Sequence, residues 1–384
     1  MTTPHTTDLL PVAVFAGTDA DNIRGLWITD GTATGTQEIT GISGLLDPYE
    51  LTAFNGGALF GGIDASDQQG LWITNGTASG THEITGIVGA GSGGIVPHDL
   101  TVFYGGVLFA GYDAANNVGL WVTNGTTTGT YEITINGAYS TGVHPADLAV
   151  FGTEVLFEGV DAAGVNGLWV YDGQSTYEVT GISGTWFGGL DPSGLTAFNC
   201  SEVLFNGFDT AGKEGLWITN GTAGGTYEVT GIKGAGAQGV NPTDITVFKG
   251  KALFAGRDSS GIDGLWVTDG TATGTHELTG IKGASANGLQ PTDLTVFGKE
   301  VLFAGVDAAG NIGLWVTNGT VAGTHEIMSG SFPGGLRPSN LTVFNGEVYF
   351  NARDSSGMSG LWVTDGSASN RPTAGATCPK SASG

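Results

Sequence analysis

The residues best able to do chemistry are two series of carboxylates that recur at fixed spacing. An aspartate stands eight residues before the tryptophan of every Gly-Leu-Trp: Asp19, Asp64, Asp113, Asp161, Asp209, Asp258, Asp307 and Asp354. A second series, Glu50, Asp99, Asp147, Asp244 and Asp293, sits in Pro-x-Asp-Leu-Thr stretches and is broken at Gly194 and Asn340. If the strands that carry them are antiparallel neighbours, each repeat brings its two acids together: Asp99 with Asp113, Asp147 with Asp161, Asp244 with Asp258, Asp293 with Asp307. Two carboxylates without a basic neighbour repel unless one is protonated or a cation lies between them. Oxygen-rich, thiol-free surroundings suit Ca²⁺. These eight aspartates are therefore the expected metal ligands, with calcium the expected cofactor. A plainer use stands beside that one: an aspartate heading an Ala-Ala-Gly turn accepts backbone N–H groups.

A second set of chemically able residues lies in the connections between repeats, which vary while the rest repeats. Trp186, Phe187, Tyr139, His144, Tyr49 and His98 are the expected ligand-binding residues, because variation on a uniform scaffold is where a site is presented. Trp186 and Phe187 have two open readings: an aromatic pair stacking on a ligand, or a plug folded over the sheet edge. His82, Tyr131, Tyr177, Tyr227, His276 and His325 each precede a glutamate, one per repeat. At that spacing they cannot converge on one metal, and they read as wedges between outer strands. No Gly-x-Ser-x-Gly elbow, His-Glu-x-x-His or phosphate loop occurs. Catalysis needs unlike acid, base and oxyanion groups at one place, whereas these repeats are nearly alike. The expectation is a binding protein and not an enzyme, gaining strength from repeated equivalent contacts.

The elements that position these residues follow from the repeat. Register tryptophans are Trp27, Trp72, Trp121, Trp169, Trp217, Trp266, Trp315 and Trp362, which makes eight units. A period in the forties with 70 glycines among Val, Ile, Leu, Phe and Thr indicates short strands and tight turns. Each unit reads as four antiparallel strands, as in Leu294–Phe297, Val301–Gly305, Gly313–Thr317 and Thr324–Ile327. Strands such as Val-Leu-Phe-Ala-Gly are apolar on both faces, which requires a sheet on either side. The expected fold is all-β: a single eight-bladed β-propeller over residues 1–366, followed by an irregular tail over 367–384. Closure is imperfect at the termini. The first unit starts at its second strand, the last stops after its third, and His5–Leu10 is a strand candidate for the seam.

Composition narrows the partners. The net charge is −24, and residues 1–212 carry a single basic side chain, Arg24. Such a surface repels nucleic acid and anionic membrane, so neither is an expected partner. Cys200 and Cys378 leave open one bond or two free thiols. The N-terminus shows no Sec-type signal, and no apolar run is long enough to span a bilayer.

The motif Gly-Leu-Trp-(Ile/Val)-Thr-(Asp/Asn)-Gly-Thr-x-x-Gly-Thr, present across nearly the whole chain, resembles the ELWxxDGT repeat of bacterial secreted and surface proteins. Departures are glycine in place of the leading glutamate, a short turn at Trp169-Val-Tyr-Asp-Gly173-Gln, and Asp365-Gly-Ser367 without the second Gly-Thr. The resemblance implies a propeller in an extracellular or cell-surface setting, with type I or another non-classical export route, and carries over no catalytic residues. The functional expectation is lectin-like carbohydrate recognition on the rim, assisted by calcium, with a glycan or cell-surface polymer as partner. The runner-up is an adhesive or self-assembling scaffold that associates through the open seam; a calcium-dependent propeller hydrolase comes third.

Overall fold

Runs of β-branched and aromatic residues, cut by Asn-Gly, Asp-Gly and Gly-x turns, fold as antiparallel hairpins because short turns leave no room for a crossover. The computed structural model describes residues 13–367 and 371–372, except 20, 22, 45 and 331. Its strands form eight sheets, the blades of an eight-bladed β-propeller. Blade five is representative: Ser193–Asn199, Glu202–Phe208, Glu214–Thr219 and Tyr227–Glu228 pair in that order. Blade one, among the described residues, has three strands, Ala13–Thr18, Arg24–Thr29 and Gln37–Glu38. His5–Leu10, expected at the seam, lies outside the described residues. Blade eight corrects the expectation that the last unit ends at its third strand: Arg371–Pro372 pairs with Ser359–Thr364 as a fourth.

The contacts divide the chain into two compact units. One holds Trp121–Glu132 with the described residues up to Asn116; the other holds Asn117–Leu120 with Ile133–Pro372. Within each, the core lies between neighbouring blades. Phe198, Leu204, Leu216 and Ile218 of blade five pack on Ile245, Ala252, Phe254 and Trp266 of blade six. Blade two meets blade three in the same way through Leu59 and Leu71 against Phe109 and Trp121. Alternate residues of a strand thus enter different interfaces, which is why its sequence is apolar throughout. Each register tryptophan lies beside the phenylalanine opposite it on the second strand, as Phe205 and Trp217 do at 6.2 Å. Its indole N–H donates to a second-strand carbonyl, Gly207 O at 3.0 Å for Trp217.

The repeated Thr-(Asp/Asn)-Gly-Thr-x-x-Gly-Thr is a hydrogen-bonded hairpin. In blade five Thr219 and Thr226 share a hydroxyl hydrogen bond of 2.6 Å, and Thr226 also donates to Thr222 O. Asn220 Oδ1 accepts from the Thr222 amide and hydroxyl, while Gly221 takes φ +82, where a side chain would be strained. The motif builds a turn and carries no chemistry.

Candidate functional site

The opposite end of each blade carries the variation. There a connection enters the first strand through Leu/Val-x-Pro-x-(Asp/Asn/Gly), and two residues take left-handed backbone. The residue before proline does so in every repeat of that form: Asp47, Val96, His144, Asp191, Asn241, Gln290 and Arg337 have φ between 30 and 52. The acidic-series residue sits in a β-bulge with φ near 53, as at Asp147 and Asp244.

The bulge decides where the second acidic series points. Asp147 Oδ2 accepts the Gly194 amide of the next blade at 2.8 Å, Asp244 Oδ2 that of Asp293 at 3.1 Å, and Asp293 Oδ2 that of Asn340 at 2.9 Å. Two residues on, Thr246 and Thr295 donate their hydroxyls to Leu294 O and Leu341 O of the following blade. In the other unit Thr52 reaches Leu100 O in the same manner. These residues clamp blade to blade.

This geometry corrects the expected carboxylate pairs. Register sets His98 against Ala110, Ala146 against Glu158, Thr243 against Ala255 and Thr292 against Ala304. Asp113, Asp161, Asp258 and Asp307 lie three residues further along, roughly 10 Å of strand away. Neither Asp99 with Asp113, Asp147 with Asp161, Asp244 with Asp258, nor Asp293 with Asp307 is therefore a cross-strand pair. The turn aspartates head their turns instead: Asp161 Oδ1 accepts the Ala163 and Val165 amides, and Asp258 Oδ1 those of Ser260 and Ile262, all at 2.8 Å. Asp113 and Asp307 accept Ala115 and Ala309 likewise. Among the described residues no three His, Cys, Asp or Glu side chains are grouped to hold a metal ion.

What the turn aspartates do meet is the fourth-strand glutamate of their own blade. Burial first, and then the aspartate's charge, raise the carboxyls of Glu38, Glu83, Glu132, Glu178, Glu277 and Glu326 above the usual range. Glu228 is raised by the same two causes, with Lys213 drawing it partly back. The preceding Tyr131, Tyr177 and Tyr227 are exposed, as are His82, His276 and His325, so they do not wedge between outer strands.

The expected ligand-binding residues divide. Trp186 lies in contact with the Gly188 and Gly212 backbones and 5.9 Å from the Phe208 ring, so it folds onto its own blade. Phe187 beside it is 90 % exposed. Phe332 covers Gly357 as Trp186 covers Gly212, a counterpart sequence reading did not single out. Tyr49 and His98 face each other at 5.8 Å in blades two and three, and burial, then Glu50 and Asp47, push the Tyr49 phenol up to about 12.

Tyr139 and His144 border a cleft of roughly 450 Å³ with Glu158, Val160, Gly164 and Asn166. Tyr139 stands against Gly164, and His144 Nε2 meets the Thr141 hydroxyl at 3.0 Å. The Asn166 amide nitrogen donates to Glu158 Oε1 at 2.7 Å and to Asp191 Oδ1 at 2.5 Å. Both carboxylates are thus drawn to one donor. Sequence reasoning missed Glu158, Asn166 and Asp191, yet the signal was there. Glu158 stands where the other blades have Gly61, Ala110, Asn206, Ala255, Ala304 and Asn351, none of them charged.

No family model matches the chain, and no curated protein matches it. Solved structures do. A puromycin hydrolase mutant complexed with PGG is 12 % identical with a TM-score of 0.54, over 89 % of this chain and 56 % of its own. Structures of two prolyl endopeptidases give 12 %, 0.53, 83 % and 49 %. A Mycobacterium tuberculosis puromycin-hydrolyzing peptidase gives 12 %, 0.51, 89 % and 56 %. The chain therefore spans about half the length of the structures it matches. At this identity the likeness shows the fold. It also corrects two expectations, lectin-like recognition and the absence of enzymatic function, because these propeller neighbours are peptidases and hydrolases.

Proposed function

We propose that the chain is a propeller of a peptidase-related hydrolase and that it meets substrate at the blade-four cleft. The observation that carries this reading is the break in repeat symmetry: Glu158 and Asp191 converge on the single Asn166 amide, at a cleft walled by Tyr139. Two carboxylates at one mouth favour a group with fixed positive charge and several N–H donors. A tyrosine face beside them adds cation–π attraction. Peptides carrying a free amino terminus, lysine or arginine supply that chemistry, and the net charge of −24 steers them inward. The hydrolase neighbours support the substrate class.

Calorimetry with cationic peptides and their acetylated counterparts tests the binding, and a panel of fluorogenic aminoacyl and peptidyl amides tests for cleavage. Glu158→Gln is expected to weaken cationic peptides about tenfold, ~1.4 kcal/mol, while leaving acetylated ones unchanged. Equal binding by the variant, or neither binding nor cleavage of any peptide, would overturn the reading.

A further inference from the structure

Away from that cleft, the fourth strand is the least supported part of each blade. In blade five Tyr227–Glu228 is held by two pairings, with Trp217 and Ile218, and by the Val229 amide donating to Leu216 O at 2.8 Å. The Glu228 side chain runs back over the third strand at Gly215, where an added methyl would come 2.5 Å from Oε1. This glycine of Gly-Leu-Trp is bare because the glutamate occupies the space above it. The charged groups facing the carboxyl are Asp209 and Lys213. The arrangement recurs with Glu83 over Gly70, facing Asp64, and with Glu38 over Gly25, facing Asp19.

We propose that these glutamates are proton-operated latches on the outer strands. Protonated, each carboxyl lies neutral over its glycine and keeps the two-residue strand on the sheet. Ionised, it is desolvated and repelled by the turn aspartate, and the strand releases. Because the folded state holds these carboxyls above their ordinary value, the stability they contribute is fully present below that value. It is lost as pH rises through the raised one. The blades are thereby tightened by acid and loosened toward neutrality, with Tyr227 and His82 carried on the strands that move.

Hydrogen exchange reads the latch directly. Protection of the Val229, Ile84 and Ile39 amides, corrected for intrinsic exchange, is expected to fall about tenfold between about pH 5 and about pH 8. The combined variant Glu38→Gln, Glu83→Gln and Glu228→Gln should keep the acid level of protection throughout. Asp67→Asn removes an exposed turn charge without touching a latch, and should retain the wild-type profile. Unchanged protection across the range in wild type would overturn the proposal, as would a pH-dependent loss in the triple variant matching wild type. Should that variant not fold, carboxyl carbon NMR of the wild-type chain decides: glutamates 38, 83 and 228 titrating at ordinary values would overturn it, and raised midpoints support it.

Discussion

At the scale of single residues, most of the polar groups that repeat are committed to backbone. Asp209 Oδ1 accepts the Ala211 and Lys213 amides, and Asp354 Oδ1 accepts those of Ser356 and Met358. The Ser356 hydroxyl, followed by the Met358 amide, holds the Asp354 carboxyl below the usual range. Such groups contribute stability that is present above their unfolded value and lost as pH falls through the lowered one. With the raised glutamates acting in the opposite sense, the thermal midpoint should peak in mildly acidic solution and fall on both sides. A midpoint highest above neutrality would contradict both shifts. Strain at this scale is concentrated before proline. Val96 holds φ 47 with a branched side chain, whereas Asn241 occupies the same place in blade six at φ 44. Val96→Asn is expected to stabilise by about 1 kcal/mol, seen as a higher denaturant midpoint with an unchanged slope.

At the scale of elements, the connections between blades are fixed by close backbone approach. Gly239 has φ +96 and faces Glu214 O so closely that no side chain fits, while Gly261 has φ +77 with open space around it. Alanine at Gly261 should cost about 1 kcal/mol from backbone conformation alone. Alanine at Gly239 adds a clash with main chain and should cost more than ~3 kcal/mol. Equal losses by chemical denaturation would show that the connection yields. The blade clamps make a gentler test: Thr246→Val removes the donor to Leu294 O and should cost about 1 kcal/mol. Elements of this kind were partly legible. Trp and Gly-Thr spacing gave the blades and hairpins, because those residues act within one sheet. The clamps were hidden, since Asp147 and Thr246 find partners a whole repeat away and a one-residue bulge redirects them. Pairing Asp244 with Asp258 treated the first strand as regular, and that bulge is what separates them.

At the scale of the whole molecule, the fold was readable because strands apolar on both faces have few ways to be buried, and a ring of sheets is one of them. The site was not, because it lies in a departure from the repeat. Glu158 becomes informative only when set against Ala255 and Ala304 in the same strand position. Charge is the remaining property of the whole chain. A net −24 is set against two ion pairs among the described residues, Arg24 with Asp47 and Arg257 with Asp263, so the fold carries a large self-repulsion. Raising salt from about 0.01 M to about 0.15 M shortens the screening length from roughly 30 Å to roughly 8 Å. The thermal midpoint is expected to rise over that range in sodium chloride, with most of the gain made at the low end. A flat or falling midpoint would mean that the charges are spaced widely enough not to matter. The same titration separates two sources of acid stabilisation. Screening removes the diffuse repulsion between exposed carboxylates, but reaches partly buried contacts such as Glu228 with Asp209 far less. The pH dependence that survives at about 0.15 M salt is therefore assigned to the outer-strand glutamates, and it should vanish in their glutamine variants.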